Sequence, residues 1–294
     1  MEDYLVKSIY KDGLIRAFAV KATNVIAEAQ ERHDTWSSST VALGRTMLGT
    51  MLLGANQKGE DKITVRINGN GSAGEILVDA DAHGNVKGYI SNPFVDLKRN
   101  DNGEVIVNQA VGNEGFLTVI KDMGLREPYA GQTPLISGEI AEDFTYYLTE
   151  SEQIPSAVGL SVQLDAEDRV RVAGGFMVQV MPGATEETIQ FIEERLQQLR
   201  AISELLTKDG KPEDLLDAIF GEGEYKALEQ LPVQFHCDCS KEKFGRGIIS
   251  LGVAEIHAII EEDHGAEVVC QFCENKYQFS EEDLVALEKE ATRE

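Results

Sequence analysis

The chain has 294 residues, 42% hydrophobic and 27% charged, the balance of an ordinary globular protein of about two domains rather than a disordered one. Its formal charge of −24 argues against a nucleic-acid partner, because polyphosphate needs a basic patch and the nearest one, Lys241-Glu242-Lys243, is diluted by its own acid. No apolar run approaches the roughly 20 residues of a membrane span, and the acidic, alternating start MEDYLVKSIYKDG does not read as a secretory signal, so a cytoplasmic protein with no membrane partner is expected.

In chain order, the first part reads as mixed α and β. Tyr4 to Tyr10 and Ile15 to Thr23 are β-rich runs joined by a hairpin at Lys11-Asp12-Gly13. Thr23-Asn24 opens a helix to about His33, with Val25, Ile26 and Ala29 on one side. Ser37-Ser38-Ser39-Thr40 precedes a second helix, Val41 to Ala55, whose apolar residues leave almost no polar face. Such a helix is expected to be buried against a sheet, with Gly44 and Gly49 permitting close approach. Strands follow at Ile63 to Ile67, Glu75 to Ala80, Val86 to Ile90, Glu104 to Val107 and Phe116 to Lys121, with turns at His83-Gly84-Asn85 and Asp101-Asn102-Gly103. A short helix, Ile140 to Leu148, leads to two last strands, Val158 to Leu164 and Arg169 to Val180, around an Asp165-to-Asp168 turn.

At Met181-Pro182-Gly183 the apolar period changes from two to about 3.6. Ile189, Ile192, Leu196, Leu199, Ile202 and Leu206 form a stripe, with Glu193, Glu194, Gln197 and Gln198 opposite. Lys208-Asp209-Gly210 ends that helix. Pro212 opens another, carrying Leu215, Leu216, Ile219 and Phe220 until Gly221 stops it. This helical segment, about 180 to 230, reads either as an ordinary docked helix pair or as a linker to the tail. The tail, from about Leu231, has a helix-like run from Ile248 to Ile260 and a final helix capped by Ser280.

The tail also holds every cysteine of the chain: Cys237-Asp238-Cys239, then 30 residues, then Cys270-Gln271-Phe272-Cys273. Two pairs on tight turns can bring four thiolates to one tetrahedral zinc ion at about 2.3 Å per sulfur. The C-x-C member departs from the usual C-x-x-C, so generic zinc-ribbon spacing fits only in part. Permanent disulfides belong to oxidising compartments, against the expected location. His236, His257 and His264 could compete as ligands, but with four cysteines present each is better read as solvent-facing or structural. The C-x-x-C alone resembles a thioredoxin motif, yet no βαβ pattern surrounds it. No catalytic residues are assigned.

Gly69-Asn70-Gly71-Ser72-Ala73-Gly74 matches G-x-G-x-x-G, but Glu75 to Ala80 reads as a strand where a pyrophosphate-binding helix would have to start. Gly44-Arg45-Thr46 lacks the lysine of a P-loop, and no nucleophile elbow is present. Glu139 and Glu142-Asp143 sit at a helix start, where the helix dipole accounts for them.

With those residues in view, the chain resembles the HslO family of bacterial heat-shock protein 33 chaperones over essentially its whole length. The resemblance rests on Leu231 to Ser240 and Val269 to Cys273 in the tail. Upstream it rests on Leu43 to Thr46, Gly69 to Gly71, Val78 to Ala80, Gly88 to Pro93, Ser137 to Asp143 and Ser151 to Gln153. It implies an α+β fold: an N-terminal chaperone domain of β-sheet with packed helices (1–180), a helical linker (181–230) and a small C-terminal zinc-binding redox-switch domain (231–294). It also implies an ATP-independent holdase for unfolded or oxidatively damaged clients, inactive while reduced and holding one zinc ion through Cys237, Cys239, Cys270 and Cys273. Oxidation would release zinc, activate the chaperone and favour a homodimer. Four sulfurs around one ion permit several disulfide pairings; the resemblance selects Cys237–Cys239 and Cys270–Cys273. A thiol-disulfide oxidoreductase using Cys270 and Cys273, and a constitutive zinc-stabilised adaptor, are the competing readings.

Overall fold

The computed structural model describes residues 2–97, 99–100, 105–207 and 209–292. The expected turn Asp101-Asn102-Gly103, the start of the expected strand at Glu104, and Lys208 lie outside the described residues. The chain forms two compact units, 1–236 and 237–294, of α+β class.

In the first unit, β1 (Tyr4–Tyr10) and β2 (Ile15–Lys21) form the expected hairpin, followed by α1 (Thr23–His33) and α2 (Ser37–Gly54). Next come β3 (Lys62–Gly69), β4 (Glu75–Asp81), β5 (Asn85–Ile90), α3 (Val107–Val111), β6 (Gly115–Asp122) and β7 (Tyr129–Pro134). Then follow α4 (Ala141–Glu150), β8 (Ser156–Leu164), β9 (Val170–Val180), α5 (Glu186–Gln197), α6 (Ile202–Leu205), α7 (Pro212–Phe220), β10 (Tyr225–Pro232) and β11 (Gln234–Phe235). One sheet has the order β10-β1-β2-β9-β8, the other β11-β5-β4-β3-β6-β7.

Helix α2 is the buried helix that its composition demands. Every residue except Arg45 is buried, because α2 packs on β3, β4 and β5 of one sheet and on β2, β8 and β9 of the other. It starts at Ser37, four residues before the expected Val41. The hydroxyl run lies inside the first turn and ties down the 92–97 segment. Ser37 donates to Asp96 at 2.5 Å, Ser39 donates to the Asn92 carbonyl at 2.8 Å, and Ser38 accepts from the Leu97 amide at 3.0 Å. At Gly49 a Cβ would lie 2.3 Å from the Phe144 ring of α4, so only glycine allows this approach.

The glycine-rich loop after β3 has a structural reason. Gly71 and Ala73 donate backbone bonds of 2.9 and 2.8 Å to the Val111 and Ala110 carbonyls of α3. A Cβ on Gly71 would sit 2.1 Å from the Ala110 oxygen. The next element is β4, a strand, as the sequence requires. The strand expected to end at Val107 is instead an isolated bridge between Arg99 and Val105 followed by α3, whose carbonyls hold that loop. The edge strand β7 was not expected; Gly131 and Pro134 mask it, in keeping with an exposed edge. Asp143 is buried and accepts amide bonds from Ile136, Ser137 and Ile140, while Glu139 pairs with Arg45 at 2.8 Å. Their bonds are specific, beyond the dipole effect.

Strand β9 is buried without interruption from Val172 to Gln179, the pattern of a strand covered on both faces. One cover is α2. The other is segment 181–220: Ile192, Leu205, Leu206, Leu215, Leu216, Ile219 and Phe220 pack with Val6, Tyr10, Ile15, Ala17, Ala19, Val172, Phe176 and Val178. The expected single stripe is broken, since α5 stops at Gln197 and α6 starts at Ile202. The helical reading of 180–230 also gives way at Tyr225, where β10 pairs antiparallel with β1. Its Lys226 to Gln230 are all exposed, so ladder bonds rather than side-chain burial hold it. Among the described residues no helix is long and apolar enough to cross a membrane.

The second unit contains α8 (Lys241–Ile249), α9 (Val253–Asp263), the hairpin β12 (Gly265–Val269) and β13 (Lys276–Ser280), and α10 (Glu281–Ala291). The expected helical run Ile248 to Ile260 is two helices, broken at Gly252 with φ of 89°. Ser280 caps α10, accepting from Asp283 at 3.2 Å and donating its own amide to Asp283 at 2.9 Å. Ile248, Ile256, Ile260, Phe279 and Leu284 form its small core.

Replacing Gly49 by Ala forces a methyl group against the Phe144 ring. The substitution is expected to destabilise the first unit by about 1–3 kcal/mol, read as a lower urea midpoint with unchanged slope.

Candidate metal centre

The four cysteines come from two tight segments. Cys237 and Cys239 lie between β11 and α8, where Ser240 caps α8 by accepting from the Lys243 amide at 3.2 Å. Cys270 and Cys273 occupy the β12–β13 turn. There the amides of Cys273 and Glu274 donate to the Cys270 carbonyl at 3.3 and 2.8 Å, and the Cys270 amide donates to Asn275 at 2.9 Å. Glu274 takes the left-handed backbone, φ 60°, that closes the turn.

All four sulfurs lie within 4.8 Å of one another, and none is in a disulfide. Cys237 and Cys270 sulfurs are 3.7 Å apart, those of Cys239 and Cys273 3.4 Å. A tetrahedron with metal–sulfur bonds of about 2.3 Å has edges of roughly 3.8 Å. The cluster therefore fits one tetrahedral ion. Both of these contacts join the two pairs across the site, and geometry alone leaves the disulfide partners open.

Burial pushes the Cys237 thiol up to about 11 and raises Cys273 as well. Burial acts upward on Cys239 too, but hydrogen bonding from Tyr277 and the other sulfurs brings it below the ordinary value. A bound cation reverses such upward shifts, because it holds each sulfur as the thiolate.

Sequence reasoning gave no role to Tyr277. Its hydroxyl lies 3.1 Å from the Cys239 sulfur and 3.1 Å from the Cys239 carbonyl. Its ring packs on Phe244 of α8 at 5.2 Å. An alternating reading of Lys276 to Ser280 could have found the strand but not this partner.

The histidines lie elsewhere. His257 pairs with Glu288 at 3.0 Å and His264 with Glu281 at 3.4 Å, both exposed. The exposed His236 donates its backbone amide to the Val86 carbonyl at 2.9 Å. Among the described residues the cysteine quartet is the metal-competent cluster.

A two-sheet α+β unit followed by a small four-thiol module defines the class: a globular domain with an appended metal-competent thiol centre. A family model described as Hsp33 protein matches residues 3–280. The chain belongs to this family. It is 58% identical to a 33 kDa chaperonin of Enterococcus faecalis over 100% of the chain and 98% of that protein. With the 33 kDa chaperonin of Levilactobacillus brevis the identity is 52%, covering 99% of each. Among solved structures, that of the 33 kDa chaperonin (heat shock protein 33 homolog) of Thermotoga maritima matches with a TM-score of 0.91 at 35% identity, covering 100% of both chains.

Cobalt(II) loading of the reduced chain is expected to give one ion per chain with the visible bands and sulfur charge transfer of a tetrahedral tetrathiolate. Cys273→Ser should weaken the charge-transfer band, whereas His257→Ala should leave the spectrum unchanged.

Proposed function

We propose that the chain is a redox-regulated, ATP-independent holdase: a binding protein that keeps unfolding or oxidatively damaged proteins from aggregating, without turnover. The observation that carries this reading is the pairing of a four-thiol centre with a sheet face covered by short helices.

In the reduced state Cys237, Cys239, Cys270 and Cys273 would hold one zinc ion. Bound there, zinc supplies structural stabilisation, about 10–16 kcal/mol for modules of this kind. The second unit needs it, because five buried apolar side chains apart from the cysteines make a slim core.

Oxidation by a peroxide would turn the four thiolates into two disulfides. Per disulfide, one thiolate attacks a peroxide oxygen, the O–O bond breaks, and a sulfenic acid and water form after protonation. A second sulfur then displaces the sulfenic oxygen as a second water, leaving the S–S bond. Two peroxides accept the four electrons. The family resemblance favours Cys237–Cys239 and Cys270–Cys273. Disulfide sulfurs no longer hold the metal, and the module loses its main stabilisation.

The segment 181–230 is the proposed linker between domains 1–180 and 231–294. Cys237 follows directly on His236, and β10 and β11 lie just upstream. Helices as short as α5, α6 and α7 are marginal in water without a surface to pack on. Their departure would uncover the Val6, Tyr10, Ile15, Phe176 and Val178 face of the five-stranded sheet. An apolar face of this kind is what a holdase offers a partly unfolded client, and the charge of −24 keeps such a complex soluble. A reducing cytoplasmic setting and a homodimer in the activated state complete the reading.

The oxidoreductase alternative fares worse. Cys270-Gln271-Phe272-Cys273 lies in a hairpin turn rather than at a helix N-terminus, and both sulfurs are buried. Burial raises Cys273, the opposite of an activated thiol.

Light scattering from a thermally unfolding client tests the switch, with released zinc followed by a chromogenic chelator. The peroxide-treated chain should suppress scattering as zinc appears, and the reduced zinc-bound chain should not. Equal suppression in both states sinks the redox reading.

One buried cation gives a second test. Lys21 follows Ala19 on the linker-covered face of β2, and its ammonium donates to the Thr207 and Gly210 carbonyls at 3.0 and 2.6 Å. Lys21→Met removes these charge-assisted bonds, worth about 1.5–3 kcal/mol each. The reduced variant is expected to show faster proteolysis within 181–230 and partial holdase activity with zinc still bound. Unchanged proteolysis would remove Lys21 from the latch.

A further inference from the structure

We infer that Tyr277 is a positioning residue of the metal centre, whose hydroxyl donates to the Cys239 sulfur and makes that thiolate less nucleophilic than its neighbour Cys237. The inference rests on the four-thiolate reading above.

Two elements hold the hydroxyl in place. The Tyr277 backbone sits in β13, paired opposite Val268 of β12, and the ring leans on Phe244 of α8 at 5.2 Å and 45°. The hydroxyl thereby reaches both the sulfur and the carbonyl oxygen of one residue, each at 3.1 Å. In a metal-bound quartet the sulfurs carry no protons, so the phenol is the donor. Sharing that proton between two acceptors of Cys239 also fixes where its sulfur points.

The consequence is chemical. When all four sulfurs are thiolates, protonation no longer separates them, and reactivity follows the charge each sulfur retains and its access. Cys270 and Cys273 are 4% and 3% exposed, whereas Cys237 and Cys239 are half-buried, so a small electrophile meets the latter two first. Cys237 has a backbone amide facing it, that of Cys239. Cys239 has a phenol, a more acidic and stronger donor, which draws charge from the sulfur. Cys239 is the less deeply buried of the two, so a slower reaction there reflects the phenol donor and not poorer access. A donor outside the ligand set thus biases where attack on the centre begins.

The test uses the full reduced chain with one zinc per molecule verified by metal analysis. Short pulses of iodoacetamide are followed by peptide mass spectrometry at each cysteine; each event forms a sulfur–carbon bond and releases iodide. In the wild-type protein Cys237 should be consumed before Cys239. In Tyr277→Phe, which keeps the ring on Phe244, Cys239 should react roughly three- to tenfold faster, the effect of one ordinary hydrogen bond. Cys237 should change less than twofold, a selectivity that general loosening would not produce. An unchanged Cys239 rate in the variant overturns the inference, and so does a wild-type order with Cys239 first. If the variant fails to fold, the wild-type order decides. A chain that carries no zinc and whose four thiols react alike overturns the metal reading and this inference together. Bound zinc with Cys239 indifferent to Tyr277 overturns the inference alone.

Discussion

The five-stranded sheet has apolar residues on both faces, and the rest of the molecule is arranged around that fact. Strand β9 runs eight buried residues, Val172 to Gln179, and cannot face water on either side. One face belongs to α2, an 18-residue helix whose burial between two sheets makes it permanent. The other belongs to α5, α6 and α7, of 12, four and nine residues. Helices this short owe their existence to the surface beneath them. The two covers differ in independence: one is integral to the core, the other is held in place by what it touches.

That asymmetry gives the contacts around segment 181–230 their meaning. Lys21 is a buried ammonium on an otherwise apolar face, satisfied by carbonyls of the cover itself. Tyr4 adds a 2.7 Å bond to Glu213, which also accepts from Gln230 of β10. Burial and the neighbouring Glu213 carboxylate both push the Tyr4 hydroxyl upward, so it remains a donor across the ordinary pH range. Polar clasps of this kind hold the cover in one register.

Much of this was readable from sequence, because periodicity reports burial directly. The all-apolar stretch of α2, the hairpin at Lys11-Asp12-Gly13 and the switch of period after Val180 each reflect a face that must be hidden. What the sequence concealed were elements with little or no apolar pattern of their own. Strand β10 exposes Lys226 to Gln230 and is held by backbone pairing, and the hairpin β12–β13 has only five residues per strand, with no alternation in Gly265 to Val269. The break between α5 and α6 carries no glycine or proline, so nothing local announced it. At the site, spacing placed the four cysteines together because tight turns are a local property. Tyr277 was invisible because its partnership depends on the register of a hairpin and on the packing of α8.

A module of this size could in principle be stabilised by a larger apolar core. Such a core responds to heat or denaturant and has no chemical handle. In the proposed switch, stability concentrated in four sulfurs would respond to electrons: removing them would change the bonding of each sulfur and leave only the small core of Ile248, Ile256, Ile260, Phe279 and Leu284 to hold the module. The sparseness of that core is then a requirement of the proposed switch, because a well-packed module would survive loss of its metal and transmit nothing. The strong negative charge fits the same proposal, since it would keep a chain with an uncovered apolar sheet face in solution.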